Sequence, residues 1–295
     1  MAGGFVFLRK NKLPMKHLSF LLFFSLCVAA YSQDKFPMFS FPGQIEQIVG
    51  FDTISITYER PAVRGREIFG GLVPYGKLWR TGASYATNIT FSAPVEVGGE
   101  KIPAGSYALF TIPGPDDWTL VLNTDYKQYG AFDYDERKDV VRTQMKVQKS
   151  PRFYETFTID IDVIPNNARV YLSWAETTVS FDVQTTADQK VAEFVKDSLL
   201  TGLHPRWQEY SVAGEYYLYQ NLDLNEALKL TELGIEKGGK SPAYAARMFV
   251  LKALGRYEEA IEMGEAAIQY DKEHNIDGGT YFQDNIEKIR ALMKE

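Results

Sequence analysis

The sequence contains a single cysteine, Cys27, which lies in the apolar run from Leu18 to Ala30 near the N-terminus. Leu26 precedes it, whereas a lipoprotein signal would have a small residue at that position. With no second cysteine the chain cannot form an internal disulfide, and a zinc site built from several cysteines is excluded. The roughly 260 residues that follow the apolar run are enough to bury an adequate core without such crosslinks.

Histidine is also scarce: His17 lies before the apolar run, and His204 and His274 lie in the C-terminal part. The sequence has no HExxH zinc motif, no P-loop and no GxGxxG motif, so it implies no cofactor. The segment Gly82-Ala83-Ser84-Tyr85-Ala86 is similar to a nucleophile elbow, but that turn joins a strand to a helix in α/β hydrolases. No histidine lies near it in sequence to act as a base, which argues against serine catalysis.

The chain has no long hydrophobic segment, because the run from Leu18 to Ala30 is shorter than the roughly 20 residues that span a bilayer. Lys16 and His17 precede the run, and Ala30-Tyr31-Ser32 follows the small-x-small cleavage rule. These features predict a signal peptide over residues 1–32 and a periplasmic or secreted protein. A retained signal anchor is the alternative; after leader removal no membrane span remains.

The sequence has fewer cationic residues than acidic ones, 32 lysines and arginines against 38 aspartates and glutamates. The formal net charge is −6, and the leader contributes four cations (Arg9, Lys10, Lys12, Lys16) and no acids, so the mature chain would carry −10. This balance excludes nucleic acids and anionic membranes as expected partners, because both require an excess of cations.

From Ile54 to Val183 the apolar residues alternate with polar ones. The alternating runs are Ile54-Ile56-Tyr58, Trp118-Leu120-Leu122, Phe157-Ile159-Ile161-Val163, Val170-Leu172-Trp174 and Val179-Phe181-Val183. Turn signals such as Gly98-Gly99 and Pro165-Asn166-Asn167 separate them. Short strands at this spacing predict an antiparallel β sandwich or barrel over residues 33–185.

The period changes to that of a helix after Val183. Thr186 with Gln189 predicts a capping box, and no strand pattern returns before Glu295. We therefore expect an α+β multidomain protein in which an all-α, helical-repeat-like region (residues 186–295) follows the β-rich domain. Asn225-Glu226-Ala227-Leu228 recurs 33 residues later as Glu258-Glu259-Ala260-Ile261.

The run Leu251-Lys252-Ala253-Leu254-Gly255-Arg256-Tyr257-Glu258-Glu259-Ala260-Ile261 resembles the tetratricopeptide repeat. One and a half repeats are too few for an independent solenoid. The resemblance implies either a helical cap or an array that the β domain or a protein or peptide partner completes.

The segment from Tyr58 to Ala83 contains several cations among glycines, prolines and aromatics. Arginines in such a loop can bind a carboxylate, phosphate or sulfate through paired hydrogen bonds, and aromatic rings can stack on a sugar. The predicted ligand-binding residues are Arg60, Arg66, Tyr75, Lys77, Trp79 and Arg80. The alternative is structural: the arginines pair with Glu59, Glu67 and other acids, and the aromatics belong to the core.

The acidic segment Asp133-Tyr134-Asp135-Glu136 is a weak candidate for a metal site, because alternate carboxylates can bind Ca²⁺. A solvated turn is the alternative. Three functions remain open. The first is a non-catalytic binding module for a small anionic or carbohydrate ligand. The second is a hydrolase of an envelope glycan or ester that uses Asp133, Asp135 or Glu136. The third is a purely architectural protein-interaction module.

A series of motifs resembles domain of unknown function 2911, a family common in exported proteins of Bacteroidetes-type bacteria. The motifs are Arg60-Pro61, Gly65-Arg66, Ile68-Phe69-Gly70-Gly71, Val73-Pro74-Tyr75-Gly76, Trp79-Arg80-Thr81-Gly82-Ala83, Pro103-Ala104-Gly105, Tyr107, Leu109-Phe110 and Trp118. The resemblance spans about Phe51 to Val183 and implies export and a β-rich domain, but no reaction. After the tryptophan motif, where the family would read Gly-Ala-Asn-Glu, this chain reads Gly82-Ala83-Ser84-Tyr85.

Overall fold

A computed structural model describes residues 38–294. The predicted signal peptide, residues 1–32, and Cys27 within it lie outside the described residues. Contacts between Cα atoms divide the chain into Met1–Phe41 and Pro42–Glu295, and the architecture below is that of the second unit.

Within residues 38–294, ten strands form two antiparallel sheets. The strands are β1 (Phe41–Val49), β2 (Asp52–Arg60), β3 (Thr87–Phe91), β4 (Val95–Val97), β5 (Glu100–Ile102), β6 (Gly105–Ile112), β7 (Asp117–Asn123), β8 (Asp139–Lys146), β9 (Gln148–Ile164) and β10 (Asn167–Gln184). One sheet has the order β1-β2-β3-β6-β7-β8, and the other has the order β5-β4-β10-β9. The expected α+β fold with a β domain followed by helices is confirmed.

The alternating apolar residues of both sheets meet in one core. In β2 the buried side chains are Ile54, Ile56 and Tyr58, while the residues between them are more exposed. They pack in the same cluster as Phe157 of β9 and Trp174 of β10. Because each strand contributes every second side chain, the two sheets share a single apolar layer.

Strand β10 contains an irregularity in its pairing with β9. The register shifts on both sides of Ala175, and this residue has a φ of 52°. A β-bulge of this kind lets buried side chains before it and after it face the same core. As a result Trp174 and Val179 are both fully buried, although they are an odd number of residues apart.

In the described part of the chain, six α-helices follow the sheets: α1 (Ala187–Phe194), α2 (Trp207–Tyr219), α3 (Leu224–Glu236), α4 (Ser241–Ala253), α5 (Tyr257–Glu273) and α6 (Gly279–Leu292). A π-helical turn, Val195–Leu199, directly follows α1. The predicted capping box at the start of α1 is wrong. Thr186 occupies the N-cap position, but its side chain makes no capping hydrogen bond. The hydroxyl of Thr185 instead accepts a hydrogen bond from the backbone N–H of Ala187, at 3.2 Å.

Helices α2 and α3 form one pair, and α4 and α5 form a second pair that follows it in the chain. Helix α4 begins 34 residues after α2, and α5 begins 33 residues after α3. The alanines of the weak sequence repeat, Ala227 and Ala260, are both fully buried in their helices. Gly255 (φ 72°) turns the chain in the second pair, and Asn221 (φ 52°) lies at the corresponding place in the first.

Polar contacts connect the sheets to the helices. Lys190 of α1 donates to the buried carboxylate of Asp52 at the start of β2, at 3.0 Å. Asn166, in the turn between β9 and β10, donates to Asp188 of α1 and to the hydroxyl of Tyr216 in α2. These contacts fix α1 and α2 against one end of the β domain. Within residues 38–294, none of the helices combines the length and apolarity needed to cross a membrane.

The carboxyl group of Glu215 in α2 provides a pH-dependent test of the helical region. Burial raises the pKa of Glu215, so its ionisation at neutral pH opposes folding. This unfavourable contribution to the free energy of folding decreases as the pH falls through the pKa of Glu215 in the folded state. It is absent below the pKa of the unfolded state, about 4.3. We therefore expect Glu215→Gln to have a higher Tm than the wild type at pH 7 and an equal Tm at pH 3. Thermal melts followed by circular dichroism measure this; a lower Tm for the variant at pH 7 would contradict it.

Candidate functional site

The first arginine of the basic loop, Arg60, joins the two sheets. At the end of β2 the chain leaves the first sheet and runs beside β9 of the second, where Phe157 N–H donates to Pro61 O at 2.9 Å. Arg60 Nε donates to Phe157 O at 3.1 Å, and its Nη2 donates to the hydroxyls of Thr156 and Thr158 at 3.1 and 3.0 Å. The guanidinium therefore holds β2 and β9 together.

The other predicted ligand-binding cations do not meet Arg60 in one binding site. Arg66 Nε donates to Val63 O at 3.0 Å, within its own loop. Lys77 is exposed, and Arg80 is half-buried. The Nε of Arg80 is enclosed and has no hydrogen-bond partner among residues 38–294. Arg60 and Arg66 thus donate to backbone carbonyl and threonine hydroxyl oxygens of the protein. Neither is paired with a carboxylate in these hydrogen bonds.

Trp79 lies in the core. Its ring stacks on Trp174 at 5.8 Å between centroids and makes edge contacts with Phe69, Trp118 and Phe157 at 5.2–6.1 Å. Its indole N–H donates to Gly82 O at 3.2 Å. Only 9% of the residue is exposed, so neither face of the indole ring is open to a ligand.

Two exposed tyrosines lie next to each other on the segments that follow Trp79 and β7. Tyr85 and Tyr129 form an isolated antiparallel bridge, and their rings meet edge to face with centroids 5.2 Å apart. They are 60% and 57% exposed. Two backbone hydrogen bonds fix the pair: Ala86 N–H to Gln128 O, and Gly130 N–H to Ser84 O. Tyr75, the predicted aromatic of the basic loop, is also exposed, but its ring lies against Gly70.

The backbone before Tyr85 is strained. Thr81 and Ser84 have φ values of 54° and 47°, a left-handed conformation that residues other than glycine and asparagine rarely adopt. Ser84 Oγ donates to the carboxylate of Glu59 at 2.7 Å, which offsets part of this strain and fixes the carboxylate. Such strained segments concentrate at functional sites.

A groove of about 420 Å³ opens beside these residues. Its lining residues are Pro42, Gly43, Gln44, Thr57, Tyr58, Glu59, Tyr85, Ala86 and Asn88. The groove therefore combines an exposed ring with a carboxylate, two carboxamides and a hydroxyl. None of the predicted cations lines it.

A second cavity of about 440 Å³ lies where β8 meets β4 and β10. Its lining is polar, but its principal charges are already paired. Arg169 donates to Asp182 at 2.6 Å, and Lys146 lies 2.6 Å from Asp117. The Arg169 guanidinium holds the pKa of Asp182 below its usual range. Both cations that line this cavity are therefore already paired with carboxylates, and none of its lining residues carries an exposed aromatic ring.

The acidic segment forms a short 3-10 turn, Glu136–Lys138, which Asp135 caps by accepting from Arg137 N–H. Hydrogen bonds from Arg137 lower the pKa of Asp135 to about 2. Asp133 and Glu136 are exposed. In the part of the chain that the structure describes, no group of three or more His, Cys, Asp or Glu residues could hold a metal ion.

Asp139, just after this turn, anchors the surrounding loop. Its carboxylate accepts from Asn123 at 2.8 Å, from Tyr134 at 2.6 Å and from Arg142 at 2.8 Å. Burial and the bond to Asp139 raise the pKa of Tyr134 to about 12. The network fixes the segment that carries Tyr129 against the outer face of the first sheet, where Tyr134 packs on Phe110.

Residues 40–183, from β1 to the end of β10, match the model of a family described as Protein of unknown function (DUF2911). This part of the chain is similar to the DUF2911 family, and the match supports the family resemblance seen in the motifs. A search of curated proteins found no match, and a search of solved structures found none.

Many motif residues of this DUF2911-like domain serve the fold. A Cβ atom on Gly71 would lie 2.6 Å from Glu67 O, and one on Gly82 would lie 3.0 Å from Glu59 O. Only glycine permits these approaches without a shift of the backbone. Together with Trp79 and Arg60, these residues build the loop and the core beneath it.

Sequence reasoning missed the groove beside Tyr85. The sequence pattern indicates a possible nucleophile at Ser84 and a partner for an arginine at Glu59, but no groove between them. The departure at Ser84-Tyr85 was the available signal, since it places an aromatic residue where the family resemblance implies an acid.

Proposed function

We propose that the DUF2911 domain is a non-catalytic module that binds a carbohydrate in the groove beside Tyr85. The observation that carries this proposal is the exposed ring of Tyr85, which lines a groove whose polar groups include Glu59 and Asn88 and which is held in place by an edge-to-face contact with Tyr129. An exposed ring can stack on the apolar face of a sugar, while carboxylate and amide groups bind its hydroxyls.

The charges of the groove favour a neutral sugar over an anion. Glu59 contributes a carboxylate to the lining, and a second negative charge there would be repelled. Arg60 and Arg66, which we expected to bind an anion, donate to protein oxygens instead. A neutral oligosaccharide or an amino sugar matches this arrangement.

Export is part of the proposal. The leader over residues 1–32 and the absence of cysteine after it suit a protein that acts in the periplasm or outside the cell, where glycans are accessible.

We infer a partner-binding role for the helical region, with a tetratricopeptide-like arrangement of its helices. Two helix pairs at offsets of 34 and 33 residues support this inference, as do the buried alanines at corresponding positions. The contacts between the sheets and α1 would then hold the helices at a defined position relative to the sheets.

A thermal-shift screen of the purified chain tests the sugar proposal. The panel contains neutral oligosaccharides (xylo-, cello-, manno- and chito-oligosaccharides) and anionic counterparts (uronic acid oligomers and phosphosugars). A ligand at 100 times its Kd stabilises the folded state by about 2.7 kcal/mol, so binding is visible as a higher Tm. We expect responses to neutral or amino sugars, and weaker responses to anionic ones.

Glu59→Gln is the matched variant, because it removes the charge and keeps the shape. It should raise the relative response to anionic sugars. Stabilisation of the wild type by anionic ligands alone would reject the neutral-sugar assignment and return attention to the arginines.

A further inference from the structure

Strand β1 lies at one end of the first sheet. Among residues 38–294 it has β2 as a neighbour on one side and no strand on the other. A free sheet edge presents a row of unpaired backbone N–H and C=O groups, with which an extended segment of another chain can pair. Proteins commonly protect such an edge with cationic side chains, a bulge or a covering segment.

The two ends of this sheet differ in that protection. The strand at the other end, β8, carries Arg142 and Lys146, which both form ion pairs, and it packs against β10 of the second sheet. Strand β1 contains no lysine or arginine, and its one charged residue is Glu46. Ile48, near its end, is 68% exposed. The edge of β1 therefore lacks the cations that protect the edge of β8.

The turn between β1 and β2 fixes which backbone groups of β1 face outward. Ser92 N–H donates to Thr53 O at 3.0 Å, so Thr53 points its backbone groups to β3 and the preceding Asp52 points its own to β1. Two residues join Val49 to Asp52, and the first of them, Gly50, has a φ of 61°. In a two-residue hairpin turn of this kind the flanking residues, here Val49 and Asp52, pair with each other.

Successive residues of a strand point their N–H and C=O groups to opposite edges. Because Val49 points to β2, the outward groups of β1 belong to the residues with even numbers. Gly43 agrees with this register, which places it opposite Tyr58: a Cβ atom on Gly43 would lie 3.0 Å from Tyr58 Cε1. The edge therefore offers the backbone groups of Gln44, Glu46 and Ile48, and the carbonyl of Pro42.

This edge is complementary to a second copy of itself. Two identical antiparallel strands related by a twofold axis pair one central residue with its own copy. Centring the pairing on Ile45, the middle residue of β1, uses the whole strand and pairs Gln44 with Glu46 of the second copy, twice. Each carboxylate then lies beside a carboxamide. Centring on Glu46 would instead bring two carboxylates together, which is unfavourable.

The ends of the strand also match in this register. Pro42 has no N–H to donate, and it lies opposite Ile48 of the second copy. The carbonyl of Ile48 needs no such donor, because it already accepts from Nε2 of Gln47 at 2.9 Å. Centring on Gln44 would place Pro42 opposite Glu46 and leave the carbonyl of Glu46 without a donor. The register centred on Ile45 gives every outward carbonyl from Pro42 to Ile48 a hydrogen-bond donor.

We propose that the protein forms a dimer in which β1 pairs with β1 of a second copy, so that the two first sheets become one continuous sheet. The twofold axis is perpendicular to this sheet, so both copies present the same face to solvent. Gln44 lines the groove beside Tyr85, so the two grooves lie on one face of the dimer, each next to Glu46 of the other copy. Two linked sites on one face bind a repeating polymer more strongly than one site does.

Sedimentation velocity of the purified full chain at increasing concentration tests the dimer, and we expect a monomer–dimer equilibrium. Glu46→Pro removes an outward N–H from each copy, and an edge strand tolerates a proline at such a position without loss of its pairing to β2. It should weaken dimerisation at least about tenfold. Glu46→Gln is the matched control, because it keeps the N–H, and it should dimerise at least as strongly as the wild type.

A disulfide tests the register. In a Cys27→Ser background, Ile45→Cys should form an intermolecular disulfide on mild oxidation, because the Cα atoms of a residue and its own copy lie about 4.5 Å apart in a pair of this kind. Ser55→Cys, on β2, is the control and should remain reduced, since three strand spacings, about 14 Å, separate the two copies of this residue.

Three results would overturn the proposal: a monomer at every concentration, a Glu46→Pro protein that dimerises like the wild type, or a disulfide in Ser55→Cys but not in Ile45→Cys. Far-ultraviolet circular dichroism confirms that each variant is folded. The dimer goes beyond the proposed sugar binding and does not depend on it. None of these measurements involves a sugar, so failure of the dimer and failure of the sugar site are distinguishable.

Discussion

Replacing Trp79 with alanine should lower the free energy of unfolding of the β domain by about 3–5 kcal/mol, the usual range for removal of a buried tryptophan. The indole stacks on Trp174 and contacts Phe69, Trp118 and Phe157, so its loss leaves a cavity at the centre of the aromatic cluster. For a chain of this size such a loss lowers Tm by about 10 °C. Urea unfolding followed by tryptophan fluorescence and circular dichroism measures the effect.

Tyr75→Ala is the control, because Tyr75 belongs to the same loop but is exposed; its stability should change by less than about 0.5 kcal/mol. If Trp79→Ala does not fold, Trp79→Phe should fold with a smaller loss of stability. A stable Trp79→Ala protein that has lost only ligand binding would show that Trp79 is a ligand residue and that its placement in the core is wrong.

Arg60→Ala should destabilise the chain by about 2 kcal/mol and leave sugar binding close to that of the wild type when measured well below Tm. The substitution removes three hydrogen bonds from one charged group to β9 and leaves Phe157 O without its donor. The effect is moderated because the guanidinium is only half-buried. Chemical denaturation gives the stability, and titration of the same protein with the ligand gives the affinity.

Two substitutions make this prediction specific. Arg60→Lys keeps the charge but cannot reach three acceptors in the same geometry, so we expect it to be destabilised almost as much as Arg60→Ala. Lys77→Ala removes an exposed cation of the same loop and should have no measurable effect on stability. Normal stability with lost affinity in Arg60→Ala would support the earlier expectation of an anion-binding arginine.

The fold class was predictable because the apolar pattern changes from period two to period 3.6 after Val183. The long strand β10 was harder to predict from the apolar pattern. Val170, Leu172 and Trp174 alternate at even positions, whereas Val179, Phe181 and Val183 alternate at odd positions, and together they suggest two strands. The bulge at Ala175 accommodates both patterns within β10. An alternation pattern alone does not distinguish a bulge from a turn.

The candidate site was less predictable than the fold. The sequence showed a concentration of arginines and aromatics but not which atoms they face. Arg60 bonds to residues 96–98 positions away, and such long-range acceptors are invisible in a local pattern. Tyr85 and Tyr129 approach each other only because two loops pair outside the regular sheets. Their proximity therefore depends on the tertiary fold.

The most direct test of the sugar site is calorimetric titration of the best neutral oligosaccharide from the screen into the wild type, Tyr85→Ala and Tyr75→Ala. We expect Tyr85→Ala to bind at least about tenfold more weakly, a loss of 1.4 kcal/mol, because it removes the exposed ring of the groove. Tyr75→Ala should bind like the wild type. Equal affinity in the wild type and Tyr85→Ala, with reduced affinity in Tyr75→Ala, would place the ligand on the basic loop and contradict the proposed site.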